Sequence, residues 1–184
     1  VPTPVYNRRP IMEKYVPDIY QKSVYDIDYS KLTNRGIKCL LFDLDNTLVF
    51  PSVKEPTEEL IKLFQELKNN FEVIIFSNSP NRRLKPFGDI LEVKYSFSSR
   101  KPFKKKFLEF INNSGYDIGE IAIIGDQILT DILGGNSVGI TAILTEPLTK
   151  KDMIFTKFNR CLERTVIKRL RKHNLFTKGR YYYD

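Results

Sequence analysis

Two aspartates one residue apart, Asp43 and Asp45, follow directly on the apolar run Ile37 to Phe42, in the stretch IKCLLFDLDNTLV. A short apolar run without alternation predicts a central strand of a parallel sheet, covered on both faces. Open α/β sheets bind their ligands at the carboxyl ends of such strands. Two carboxylates placed there raise each other's pKa unless a cation or a proton lies between them. Three later strand ends repeat the pattern of apolar run then polar group: Ser77/Asn78 after Phe71–Phe76, Arg100/Lys101 near Val93–Phe97, and Asp126 with Asp131 after Glu120–Ile124. Gathered into one crevice, these residues supply several carboxylates, a hydroxyl, an amide and at least one ammonium. Clustered oxygen donors suit Mg²⁺. The only histidine, His173, lies far down the chain, which disfavours a zinc site and a Ser-His-Asp hydrolase. A P-loop is also missing. Beside a cation and a lysine, a carboxylate can attack phosphorus, and a second carboxylate two residues on can protonate the leaving oxygen and later deprotonate water.

These strand ends need elements to position them. After Pro51 and Pro56, Thr57 is placed to cap a helix with Leu60, Ile61, Leu63, Phe64 and Leu67 at helical spacing. Further helices are expected within Asn81–Leu91 and from Pro102 to Gly115, and a last strand over Ile140–Leu144. Strand alternating with helix predicts an α/β, doubly wound parallel sheet of about five strands. Residues 1–36, rich in Pro and Tyr, read as an irregular arm packed on the core. Residues 37–149 form the catalytic domain, and 150–184 a basic amphipathic helix and tail. Asp26 and Asp28 form another D-x-D pair, but no apolar strand feeds it, so it is assigned to the surface.

The net charge of +8 is concentrated in the tail: residues 150–184 hold 11 Lys or Arg against 3 Asp or Glu, and residues 1–149 hold 19 of each. That asymmetry calls for an anionic partner, either a lipid surface, nucleic acid or the ribosome, or else a solvated basic face. Phe155, Phe158, Leu162, Val166 and Leu170 mark the expected apolar stripe, suited to an anionic membrane or to docking on the sheet. No apolar run is long enough to span a bilayer. Two unpaired-looking cysteines, Cys39 and Cys161, fit a reducing compartment, so a cytoplasmic setting is expected.

DLDNT, SN after an apolar strand, a KP dipeptide and GDQILTD, in that order, resemble the haloacid dehalogenase (HAD) phosphatase superfamily over roughly Ile37–Leu144. The resemblance implies a HAD-like Rossmannoid fold and Mg²⁺, with Asp43 as nucleophile and metal ligand. It makes Asp45 the general acid/base, its backbone carbonyl also on the metal. Thr47 would support the loop, Ser77 and Asn78 bind the phosphoryl group, Lys101 hold the phosphate and Asp126 complete the metal site. Asp131 would be a partner for the metal water or for Lys101, the alternative being a simple cap of the helix through Ile132 and Leu133. Superfamily caps are inserted after the first Asp loop or between the Ser and Lys motifs. Here those gaps, Leu48–Phe76 and Ser79–Arg100, hold only 29 and 22 residues, so no cap domain is expected and the site stays open to a large substrate.

The lead-in DYSKLTNRGIKCLLFDLDNTLV, GDQILTDILGGN and the basic terminal helix are similar to the YqeG-type and mitochondrial phosphatidylglycerophosphate phosphatases. That likeness implies dephosphorylation of phosphatidylglycerophosphate by a peripheral protein on the inner membrane face. A phosphatase acting on a protein or a nucleic-acid end, or a HAD-fold adaptor binding RNA or ribosome-linked partners, remains the alternative.

Overall fold

The structure, a computed structural model, describes residues 10–97, 99–149 and 154–183, with side chains omitted over 154–160. Six strands, β1 (Ile19–Gln21), β2 (Cys39–Phe42), β3 (Glu72–Phe76), β4 (Lys94–Ser96), β5 (Ile121–Gly125) and β6 (Thr141–Thr145), form one sheet. All pairings are parallel, in the order β1-β6-β5-β2-β3-β4. The order reverses between β2 and β5, which is where a doubly wound sheet opens its crevice.

Cys39, Leu40, Leu41 and Phe42 are all buried, the signature of a strand with helices on both faces. Helices α1 (Tyr29–Asn34), α2 (Glu58–Leu67) and α3 (Asn81–Leu91) pack over one face, through Leu32, Leu60, Phe64 and Phe87. Helices α4 (Lys104–Ser114), α5 (Leu133–Val138) and α6 (Ile154–Lys172) lie over the other, through Phe107, Val138 and Leu170. Local chemistry sets the boundaries. Thr57 accepts a hydrogen bond from the Leu60 N–H at 3.2 Å, opening α2 with Glu58 and Glu59 in its first turn. Gly115, at φ 77°, ends α4 in the left-handed region.

The expected 1–36 arm is partly ordered into the sheet. β1 pairs with β6, placing Ile19 opposite Ile143 and Gln21 opposite Thr145. Three residues between Pro17 and Ser23 are too few to show a strand pattern, so only burial against β6 reveals it. The far end of the chain closes over the same edge: Tyr20 and Tyr182 form an antiparallel bridge, and Phe176 is buried beside them. Asp28 lies on the surface as expected, capping α1 through the Ser30 and Lys31 N–H groups.

The terminal helix turns inward two described residues of its expected stripe, Val166 and Leu170, but not Leu162. Phe155 and Phe158 fall outside the described side chains, and Leu162 is 46% exposed. Its neighbour Glu163 is buried, as is Leu170, with Val166 and Ile167 half-buried against the core. A buried carboxylate displaces the apolar pattern because its acceptor oxygen has a use there, described below. The two gaps judged too short for a cap are filled by a loop with α2 and β3, and by α3 with β4. No described helix is long and apolar enough to cross a membrane.

Candidate active site

Strand register brings the predicted residues together. Phe42 lies opposite Ile75 on β3 and Ile124 on β5. The next residues of all three chains therefore emerge along one edge, with the Asp43 N–H bonded to the Ile124 carbonyl at 2.9 Å. Beyond Asp43 the chain turns back on itself. Asn46 sits at φ 67°, a region its short polar side chain tolerates, and the Val49 N–H returns to the Leu44 carbonyl at 3.2 Å.

Lys101 is the hub of the site. Its ammonium is buried and donates to Asp43 Oδ1 at 2.8 Å and to Asp131 Oδ1 at 2.5 Å. Burial alone would lower its pKa, but Asp131 and Asp43 more than offset this and hold it above the usual lysine value. Arg100, Lys104 and Lys105 are exposed, and Lys106 pairs with Glu109 at 3.1 Å, so among these cations only Lys101 enters the crevice. Arg100 takes φ 51°, turning its own side chain outward while its successor goes in.

Asp131 sits in a π-helical turn, Ile128–Ile132, that precedes α5. Such turns are frequent at functional sites because they redirect one residue out of helical phase. Here the Asp131 carboxylate is fully buried and accepts from the Gln127 N–H at 3.1 Å. It also needs the bare Gly125: a Cβ built there would lie 2.2 Å from Asp131 Cγ. Asp126 completes the group, accepting from Thr47 Oγ1 at 3.2 Å.

Asp43, Asp126 and Asp131 each present an oxygen within 4.8 Å of the others. Three carboxylates beside one ammonium leave a negative surplus. Burial, only partly countered by Lys101 and reinforced by Asp131, pushes the Asp43 carboxyl from 3.8 up to about 6. A divalent cation with oxygen preference relieves that surplus, and the donor set holds no nitrogen or sulfur. The residues therefore fit a hard divalent metal.

Asp45 stands outside this cluster. Its carboxylate accepts from Ser79 Oγ at 2.7 Å and from Arg83 Nη2 at 2.7 Å and Nε at 3.1 Å. Arg83 also donates to the Val53 carbonyl, tying the loop before α2 to the first turn of α3. Neither Ser79 nor Arg83 stood out in the sequence, since Arg82, Arg83 and Lys85 together look like a solvated helix face. Asn78 is likewise engaged in support: its amide accepts from the Lys101 N–H at 2.7 Å and donates to the Lys101 carbonyl at 3.2 Å. Ser77 is buried at the β3 end, its Oγ accepting from the Ser79 N–H at 3.3 Å. A last undetected contact comes from α6, where the buried Glu163 accepts from the Ile128 N–H at the head of the π turn.

A parallel sheet with paired aspartates at its switch point, a buried lysine and further aspartates on the adjacent strand end defines a HAD-superfamily phosphatase, a phosphoric monoester hydrolase. Solved structures of that fold superpose at low identity. The cobalt-bound deoxy-D-mannose-octulosonate 8-phosphate phosphatase of Haemophilus influenzae aligns at TM-score 0.50, 14% identical, over 81% of this chain and 96% of its own. A HAD-like family hydrolase from Porphyromonas gingivalis aligns at TM-score 0.51, 14% identical, over 69% and 98%. Residues 5–149 match the family described as mitochondrial PGP phosphatase, and the chain belongs to that family. It is 37% identical over 159 residues to the probable phosphatase YqeG of Bacillus subtilis, covering 86% of this chain and 92% of the relative. It is 30% identical over 169 residues to the Arabidopsis thaliana phosphatidylglycerophosphate phosphatase 1, chloroplastic/mitochondrial, covering 85% of this chain and 49% of that protein. The chain thus spans about half the length of the plant relative.

Proposed function

We propose that the protein hydrolyses the phosphomonoester of phosphatidylglycerophosphate at a membrane surface, through an aspartyl-phosphate on Asp43 and with Mg²⁺ at the Asp43–Asp126 site. The observation that carries the chemistry is the buried Lys101 ammonium bridging Asp43 and Asp131 within 2.8 Å. The lipid assignment is supported by the phosphatidylglycerophosphate phosphatases among its relatives and by an uncapped crevice.

In this mechanism a carboxylate oxygen of Asp43 attacks phosphorus, and the ester oxygen departs with a proton from Asp45. Water then attacks the phosphoryl group, losing a proton to Asp45, and the P–O bond to Asp43 breaks to release inorganic phosphate. Lys101 and the Ser77 hydroxyl hold the transferring oxygens, a charge stabilisation that costs little reorganisation because Lys101 is already fixed by two carboxylates. Asp43, Asp126 and the Asp45 backbone carbonyl would hold the metal, which supplies charge neutralisation and orientation at the phosphoryl group. Asp131 keeps Lys101 in place. Asn78 acts through its clasp on the Lys101 backbone, a positioning role, rather than by direct phosphate contact. Arg83 and Ser79 orient Asp45.

The test is phosphate release from phosphatidylglycerophosphate in mixed micelles with Mg²⁺, set beside a phosphopeptide and a 5′-phosphoryl oligonucleotide. Turnover of the lipid above the other two, lost in Asp43→Asn, is expected. Preference for the peptide or oligonucleotide would transfer the same chemistry to a different substrate.

A further inference from the structure

Between β4 and the start of α4, near the crevice, lies an open groove of about 940 Å³ lined by Tyr95, Phe97, Arg100, Phe103 and Lys105, with the ion pair of Lys106 and Glu109 also on its wall. Phe103 is 71% exposed and Phe97 49%. Large apolar side chains adjacent on a surface mark an interaction site more often than single exposed ones do. The helix behind them is built against its own local preference. Phe103 occupies the N-cap of α4 with no side-chain hydrogen bond, and the first turn holds no acidic residue but three lysines, Lys104, Lys105 and Lys106. Cations at the positive end of a helix oppose its dipole. Lys106 is met by Glu109 at 3.1 Å, but the exposed Arg100 and Lys105 add positive charge at this helix end, and an anionic partner would complement it.

The patch adjoins the site along the chain: Lys101, whose ammonium touches Asp43, lies between Arg100 and Phe103. Among the described side chains of α6, the exposed cations Arg164, Lys168 and Arg169 are accompanied by the exposed Leu162 and by no exposed aromatic. We propose that Phe97 and Phe103, flanked by Arg100, Lys104 and Lys105, form a bilayer-docking surface. The rings enter the headgroup–acyl boundary of an anionic membrane, and the cations engage lipid phosphates. The inference rests on the reading of the substrate as a membrane phospholipid: docking here presents the Lys101 crevice to headgroups in the plane of the bilayer.

The experiment measures sedimentation of the full chain with vesicles of phosphatidylglycerol and phosphatidylcholine, which contain no substrate, and with phosphatidylcholine alone. Phe97→Ser/Phe103→Ser is expected to weaken binding to the anionic vesicles by about tenfold. Lys104→Glu/Lys105→Glu is expected to weaken it by at least about fivefold per cation, with the wild-type affinity falling as salt is raised. Both variants keep wild-type hydrolysis of a soluble phosphomonoester, which verifies folding. Lys168→Glu/Arg169→Glu on α6 leaves binding unchanged. Patch variants that hold anionic vesicles as tightly as wild type overturn the proposal, as does loss of binding in the α6 variant alone, or wild type that binds RNA but no vesicle. Vesicle binding through the patch without phosphatidylglycerophosphate turnover would support the docking surface and remove the substrate. Turnover in micelles with patch variants still vesicle-bound would do the reverse.

Discussion

Replacing Asp43 by Asn removes the proposed nucleophile, and the electrostatics of the site predict that it also makes the metal-free protein more stable. Burial pushes the Asp43 carboxyl from 3.8 up to about 6, even with Lys101 alongside. The folded chain therefore holds a proton at Asp43 over a range in which the unfolded chain has released it. By linkage, wild-type stability falls as pH rises from about 4 to about 6 and is lower by about 3 kcal/mol above that window. Asparagine keeps an oxygen for the Lys101 ammonium and carries no charge to desolvate. In EDTA at pH 7.5 the variant should thus be more stable by about 2–3 kcal/mol, about 4–12 °C in Tm for a domain this size. At pH 4 the difference should shrink to less than about 1 kcal/mol. Urea melts of both proteins at the two pH values provide the assay, and their difference cancels every other titrating group. Added Mg²⁺ should stabilise wild type more than the variant, because only wild type offers the full ligand set. A variant less stable than wild type in EDTA at pH 7.5 would refute the reasoning, since Asp43 would then be a net favourable partner of Lys101.

Lys101→Met leaves Asp43 and Asp131 buried without their shared cation and should cost about 3–5 kcal/mol together with activity; wild-type stability in urea would remove Lys101 from the centre of the site. Gly125→Ala drives a methyl into the Asp131 carboxylate and should lower stability by about 1–3 kcal/mol, with kcat falling; a crystal structure of the variant with Asp131 unmoved would contradict this. Arg83→Ala releases Asp45 from its guanidinium clamp and should lower kcat on a soluble ester by about tenfold while changing KM little, with partial recovery in Arg83→Lys; equal kcat in wild type and Arg83→Ala would show that Asp45 needs no clamp. Glu163→Ala strands the Ile128 N–H at the π turn and should cost about 1–3 kcal/mol by thermal melting, while Glu163→Gln, which keeps the acceptor oxygen, should cost less.

The short apolar run Ile37–Phe42 ending in Asp43 was enough to read a central parallel strand, because such a strand has no polar face to disguise it. The same holds for the strands ending at Ser77 and Asp126. The motif order from Asp43 to Asp131 was legible because the chemistry needs particular atoms at successive strand ends. The alternation of strands with amphipathic helices indicated the class of fold. The arm strand Ile19–Gln21 was hidden, since three residues carry no period and their burial comes from β6, more than a hundred residues away. Arg83 was hidden among neighbouring cations, and its role exists only where α3 passes the Asp45 loop. On α6 the stripe through Val166 and Leu170 was legible, but Glu163 was not, since it is polar by composition and is buried against one amide of a π turn that no local pattern announces. Residue identity and local period thus determined which groups are available and which elements carry them. Tertiary structure decided which carboxylate meets Lys101, which amide is spent on support and which cation faces solvent, because those outcomes depend on distances between segments remote in sequence.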